Sequence, residues 1–351
     1  MAGPQRLASA RRQICSGRCT LMRLLPSRVS TKGKKSVVGN KLKEKSKEGP
    51  ISEFEEENEI KLWKQLQGAD GQQRAALLLE LAQEAVRGSR GKEALAYAEE
   101  AHQIYLSMGA NAPNIELANS WMVIGNSYQE LNSVDEATNA MDKAIEYLKE
   151  GNYPYVADAV RGKGHLLARN KRYEEALECY LELVRINEID GDPEFIAKDL
   201  LSSSYCFMKL GRWDAVIEHA QRARGYAKQV KNVDDATWCD LYLADAYAEL
   251  GNLEIAVDLA KQVVAMATLR DIPQVKCLGM LALGKGLIGI SDYESAEREL
   301  LASREIASGS TDWETIKRIE AEFVKLYLAQ GKVQEAEEVK KRLESIKEIV
   351  D

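Results

Sequence analysis

The chain has 351 residues, of which 45% are hydrophobic and 29% charged, and only seven are prolines. That composition leaves room for many uninterrupted helices, and no run reaches the roughly 18 to 20 apolar residues that span a bilayer, which excludes a transmembrane anchor. The formal net charge of -7 hides an asymmetry, because residues 1–43 hold eleven Lys or Arg and no acid, leaving 37 basic against 55 acidic residues from Glu44 onward.

The basic segment comes first. Arg6, Arg11, Arg12, Arg18, Arg23 and Arg28 are followed by Lys32, Lys34 and Lys35, interleaved with Ser, Ala and short apolar pairs. Arg-rich, Ser-containing and acid-free is the composition of an organelle transit peptide, which gives a mitochondrial address. The alternative is a plain basic tail on a cytoplasmic protein. Residues 44–70 read as a charged linker: Lys41 to Lys47 is lysine-rich, Glu53 to Glu59 is a glutamate run, and the stretch turns helical toward Leu62 and Trp63. From Glu44 on, the acidic body disfavours nucleic acid, since phosphate binding needs clustered positive charge. Basic or mixed partners suit it better.

Residues 71–351 carry a repeat. A mostly small residue recurs at Ala94, Ala137, Ala176, Val216, Ala256, Ala296 and Ala336, with successive spacings of 43, 39, 40, 40, 40 and 40. Twelve residues before each lies another small residue, Ala82, Gly125, Gly164, Ser204, Ala244 or Gly284, with Val324 breaking the rule in the last unit. Two helices cross closely only where side chains are small, so this pairing marks where the first helix of each unit meets the second. Three residues past the first small position comes a larger apolar or aromatic one in most units: Ala85, Tyr128, Leu167, Phe207, Tyr247, Leu287 and Tyr327. Turns such as Leu210-Gly211-Arg212-Trp213-Asp214 and Leu250-Gly251-Asn252-Leu253-Glu254 combine a glycine helix stop with an acidic helix start. The predicted units lie near 72–108, 115–150, 155–188, 195–230, 235–270, 274–308 and 313–350, and strands have no place in the pattern.

The second unit runs Trp121, Ile124, Gly125, Tyr128, Leu131, Ala137, and at these residues the chain resembles the tetratricopeptide repeat (TPR) family, over residues from about 72 to 349. The 40-residue period is similar to the longer variety in kinesin light chains and the LGN/Pins regulators. The resemblance implies an all-α fold, a TPR-like αα-superhelix (solenoid) of about seven helix-turn-helix repeats, and a function in binding peptides or partner domains. It further implies that first helices line a concave groove, with offsets -6, -3, -2, +1 and +4 from the small residue pointing into it. Those offsets select Asn119, Asn126, Arg161, His165, Lys198, Tyr205, Trp238 and Tyr242 as the partner-binding groove, with Gln83, Asp245 and Lys285 beside them. The carboxylate clamp of chaperone-binding relatives is not matched, because Met122, Gly162 and Ser202 stand where charged or amide side chains belong.

No catalytic residue, metal or cofactor is expected. His102, His165 and His219 lie at different repeat positions without ligand spacing. The stretch Gly279 to Gly286 lacks the Ser or Thr after Lys285 and the preceding strand of a phosphate loop. Cys179, Cys206, Cys239 and Cys277 fall one per unit without a CxxC pair, which suits buried thiols in a reducing compartment. The sequence thus reads as a non-enzymatic scaffold or assembly factor holding a protein or peptide partner. The alternative is a structural subunit of a larger organellar or cytoskeletal complex, touching partners through its convex face and termini. An apolar stripe of Val339, Leu343, Ile346 and Ile349 on the last helix motivates that alternative, although packing of the stripe on the preceding helix is the preferred reading of it.

Overall fold

A computed structural model describes residues 53–151, 155–309 and 312–350. The basic segment 1–43, and the address read from it, lie outside the described residues. Among the described residues there are fifteen α-helices and no strand, and they fall into two compact units, one up to Cys179 and one from Tyr180.

The N-terminal unit contains α1 (Glu53–Leu66), α2 (Gly71–Arg87), α3 (Gly91–Ser107), α4 (Asn114–Glu130), α5 (Val134–Glu150), α6 (Val156–Arg169) and the start of α7 (Tyr173–Asp190). The C-terminal unit continues α7 and adds α8 (Pro193–Lys209), α9 (Trp213–Gln229), α10 (Val233–Glu249), α11 (Leu253–Leu269), α12 (Pro273–Gly289), α13 (Tyr293–Ser308), α14 (Trp313–Ala329) and α15 (Val333–Val350). From α2 onward these form seven helical hairpins, a TPR-like αα-solenoid. Most helices have 17 residues, about 25 Å at 1.5 Å per residue.

The small residues sit where the helices cross. Ala82 and Ala94, Ser204 and Val216, and Ala244 and Ala256 are all buried. A β-carbon on Gly125 would lie 3.2 Å from the Ala137 carbonyl, and one on Gly284 would lie 3.6 Å from the Ala296 carbonyl. The paired register therefore measures backbone approach between the two helices of a hairpin.

Each hairpin turn closes the same way. The residue just past the first helix has positive φ: Ser89, Asn132, Lys171, Gly211, Gly251, Ser291 and Gly331. The next residue donates its N–H to the carbonyl five back, as in Ser133 to Tyr128 (2.9 Å), Asn252 to Tyr247 (2.8 Å) and Lys332 to Tyr327 (2.8 Å). That is the Schellman closure. Glycine fills the left-handed position in only three of the seven turns, contrary to the simple glycine stop read from the sequence. Ser, Asn and Lys take it elsewhere at a cost of about 1–2 kcal/mol each, offset by the two turn hydrogen bonds that close the helix. Between hairpins, Gly191, Lys231 and Asp271 repeat the left-handed stop.

First helices pack on their own second helix and also on the first helix of the next hairpin: α2 on α4, α8 on α10, α10 on α12 and α12 on α14. No comparable packing joins second helices of the described residues. The first helices thus form the crowded inner layer of each unit.

The N-terminal end differs from what the sequence suggests, and the C-terminal end follows the preferred reading. The expected solvated linker is, from Glu53 on, a docked helix: Leu62 and Leu66 of α1 are buried in one cluster with Leu78, Leu81 and Tyr105. Trp63 meets Tyr97 edge-on at 5.8 Å, and Glu59 takes Arg90 through two bonds of 2.7 and 3.0 Å. At the other end α15 packs on α14, with Val339 and Ile346 buried, so this part of the apolar stripe is spent inside the fold. Glu320, 2% exposed, draws Arg304 of α13 (3.6 Å) and Arg342 of α15 (3.4 Å) onto α14.

Candidate partner-binding face

In the N-terminal unit the inner residues lie on α4 and α6. Asn119 is exposed and Asn126 half-buried. Arg161, His165 and Arg169 follow at intervals of four, which places them in one row along α6. Arg161 reaches Asp158 at 3.0 Å on its own helix. Burial, then Arg161 and Arg169, push the His165 imidazole down to about 4. A histidine held below its unfolded value of about 6.5 is neutral in the fold, so its contribution is complete above pH 6.5 and is lost as pH falls toward 4. We expect the N-terminal unit to lose about 2 kcal/mol between pH 7.5 and 5 from this residue, and His165→Gln to flatten the fall in melting temperature over that range. A histidine-independent acid profile would contradict the assignment.

In the C-terminal unit aromatic and charged groups converge. Trp238 and Tyr242 of α10 lie with ring centroids 6.0 Å apart, and Tyr205 of α8 lies 6.4 Å from Tyr242. Tyr242 is itself buried, so it forms floor, while Tyr205 and Trp238 stay half-exposed. Lys209, the last residue of α8, places its ammonium 5.6 Å from the Tyr205 ring centroid. Burial and the Arg318 charge lower its pKa, against Glu314, Asp245 and Asp312. Asp245 is 5% exposed, and its Oδ2 accepts from Arg318 Nη2 of α14 at 3.2 Å across 73 residues of sequence. Lys198 is engaged on its own helix, donating to Glu194 at 2.7 Å. Lys285 donates to Glu249 at 2.5 Å, and Gln83 is exposed. The inner face of this unit is therefore an aromatic floor with an acid and two cations at its edge, a surface able to take both polar and apolar side chains of a chain segment.

A family model of the tetratricopeptide repeat matches residues 118–147 and 162–190. The chain carries tetratricopeptide repeats. The match covers the α4–α5 hairpin and most of α6–α7, and the remaining hairpins repeat its helix–turn–helix geometry. No curated protein matches the sequence. Among solved structures, the apo form of RapI superposes with a TM-score of 0.64 at 14% identity, covering 79% of this chain and 98% of RapI. A Rap protein complexed with competence and sporulation factor gives a TM-score of 0.54 at 14% identity, covering 78% of this chain and 76% of that one. A putative kinesin light chain with nearly identical TPR-like repeats from Podosopora anserina gives 0.50 at 16% identity, covering 58% and 99%. At such identities the likeness is one of fold.

Within this repeat array, two buried Ser–His pairs look catalytic at first sight. Ser120 Oγ lies 2.7 Å from His102 Nδ1, and Ser203 Oγ lies 2.8 Å from His219 Nδ1. Each hydroxyl, however, gives its proton to a carbonyl three residues back, Leu117 at 2.7 Å and Leu200 at 2.8 Å. The histidine must then donate from Nδ1, the opposite of what a general base does. Both serines are fully buried, out of reach of any substrate. The described residues contain no group of three potential metal ligands. The glycine stretch of α12 is packing: β-carbons on Gly279, Gly284 and Gly286 would fall 2.8, 2.7 and 2.8 Å from Val263, Leu300 and Val257.

Sequence reasoning missed Arg318 and Lys209. Arg318 occupies offset -6 from Val324, the register position of Lys198 and Trp238, in the one unit where the small-residue rule is broken. Lys209 lies at offset +5, outside the positions that the family pattern selects.

Proposed function

We propose that the chain is a non-enzymatic interaction scaffold that holds a segment of a partner protein against the inner face of its first helices. The convergence of Tyr205 of α8, Trp238, Tyr242 and Asp245 of α10, and Arg318 of α14 on the inner layer of the C-terminal unit carries this reading. Aromatic and Arg side chains supply most binding hot spots, and Tyr205, Trp238 and Arg318 lie half-exposed over the buried Tyr242. That a Rap protein of like fold was solved with competence and sporulation factor supports a ligand on this architecture. The hydroxyl geometry of both Ser–His pairs supports the non-enzymatic half of the reading.

Replacing Arg161, Lys198 and Trp238 together by alanine is expected to reduce partner capture at least about tenfold, about 1.4 kcal/mol, with the far-ultraviolet circular dichroism unchanged. Quantitative affinity purification against the unsubstituted chain measures it. A partner set indifferent to the triple change places binding elsewhere. For the structural-subunit alternative, two residues of the stripe that motivated it, Val339 and Ile346, are covered by the fold, while Leu343 stays half-exposed.

A further inference from the structure

On the inner face of the C-terminal unit one carboxylate is only half used. Asp245 has a side chain 7% exposed, and its Oδ2 takes a single bond from Arg318 Nη2 at 3.2 Å. Its Oδ1 is buried with no hydrogen-bond partner. An ionised carboxylate accepts at both oxygens, and a guanidinium meets it best as a fork of two parallel bonds. Here the fork is not made.

The arginine involved is not local. Arg318 belongs to α14, two hairpins beyond α10, and its side chain remains 37% exposed, so the guanidinium lies at the open edge of the site and covers the acid beneath it. Trp238, Tyr242 and Asp245 follow at i, i+4 and i+7, which puts two aromatic rings and the acid on one face of α10.

We propose that Asp245 is the specificity-determining residue of this face, reading an arginine or lysine of the partner segment, and that Arg318 is an internal stand-in which the partner's cation displaces. The inference rests on the scaffold reading and names the chemistry of the partner. Three features favour a cation as occupant. A buried carboxylate is strongly destabilised without an opposite charge, so the position demands one at all times. The charges acting on Arg318 and Lys209 include the acids Asp245, Asp312 and Glu314, three against those two cations, with Glu322 beside them taken by Lys325 at 2.7 Å. The half-exposed ring of Trp238 offers a guanidinium a stacking surface on the same helix face as the acid. Arg318 can leave, because its side chain is 37% exposed and Glu314, exposed on the preceding turn of its own helix, can receive it.

The test uses the full chain and a display library of random twelve-residue peptides. Selected peptides are expected to carry Arg or Lys, and replacing that arginine by citrulline, which keeps shape and removes charge, should weaken binding about tenfold or more. Asp245→Asn, which keeps the side-chain shape, should erase the difference between arginine and citrulline. Arg318→Ala should tighten binding of the arginine peptide severalfold. The comparison of two peptides on the unsubstituted chain needs no variant, so a poorly folding Asp245 substitution leaves the test intact. Peptides selected without Arg or Lys, or bound equally with citrulline but lost with Trp238→Ala, overturn this inference and leave the scaffold reading standing. Arg318→Ala weakening the arginine peptide also overturns it. A library that yields no inner-face binder overturns both.

Discussion

A full-length chain carrying Leu62→Asp and Leu66→Asp is expected to lose about 3 to 6 kcal/mol of local stability at its N-terminal hairpin. The two leucines are 5% and 4% exposed and lie in one cluster with Leu78, Leu81 and Tyr105. A carboxylate at either position cannot be buried there without a partner, so α1 detaches and the energy lost is that of its docking. The ion pair from Glu59 to Arg90 goes with it, leaving Arg90, whose side chain is 14% exposed, without its principal anion. Stability in a repeat array is close to a sum of nearest-neighbour terms. Hydrogen exchange should therefore quicken by roughly a thousandfold in α2 and α3 and stay unchanged in α10 to α13. Unaltered protection in α2 would mean that α1 contributes nothing to the hairpin it covers.

The second large effect concerns two glycines that look alike in the sequence and should respond with opposite signs. Gly284→Val is expected to destabilise the C-terminal unit by about 2–3 kcal/mol. The new β-carbon would sit 2.7 Å from both Cγ and Cδ2 of Leu300, and Leu300 is fully buried, so neither side can yield without moving a helix. Gly162→Ala is expected to stabilise by up to about 1 kcal/mol, because nothing lies within 4 Å of its β-carbon and alanine favours the helix. Chemical denaturation of the two variants decides the matter, and a shared sign would refute the packing argument.

These two glycines also show what the sequence could convey. Gly284 stands in the twelve-residue register with Ala296, and the structure places it where the two helices touch; the same holds for Gly125 and Ala137. Close backbone approach leaves a compositional trace at fixed spacing, so hairpins, turns and inner-layer register were legible. Asp245 was legible as an inner residue for the same reason. Its tie to Arg318 was not, because a contact spanning 73 residues depends on how successive hairpins stack, and stacking leaves no periodic mark. The docking of α1 was hidden by composition: its glutamate run reads as solvated, and the packing falls to a few residues on one edge, Leu62, Leu66 and Trp63. Lys198, expected as a groove cation, also bonds along its own helix to Glu194, an i to i+4 choice that local sequence permits but does not dictate.

Cys179, Cys206, Cys239 and Cys277 are all buried, and they belong to α7, α8, α10 and α12, one to each of four consecutive hairpins. Burial pushes the Cys239 and Cys277 thiols above their ordinary range, and only the thiolate reacts with alkylating reagents. Modification at each sulfur must therefore wait until its own hairpin opens. The solenoid thus carries an internal series of clocks: the order in which its sulfurs alkylate under native conditions is the order in which its hairpins fray.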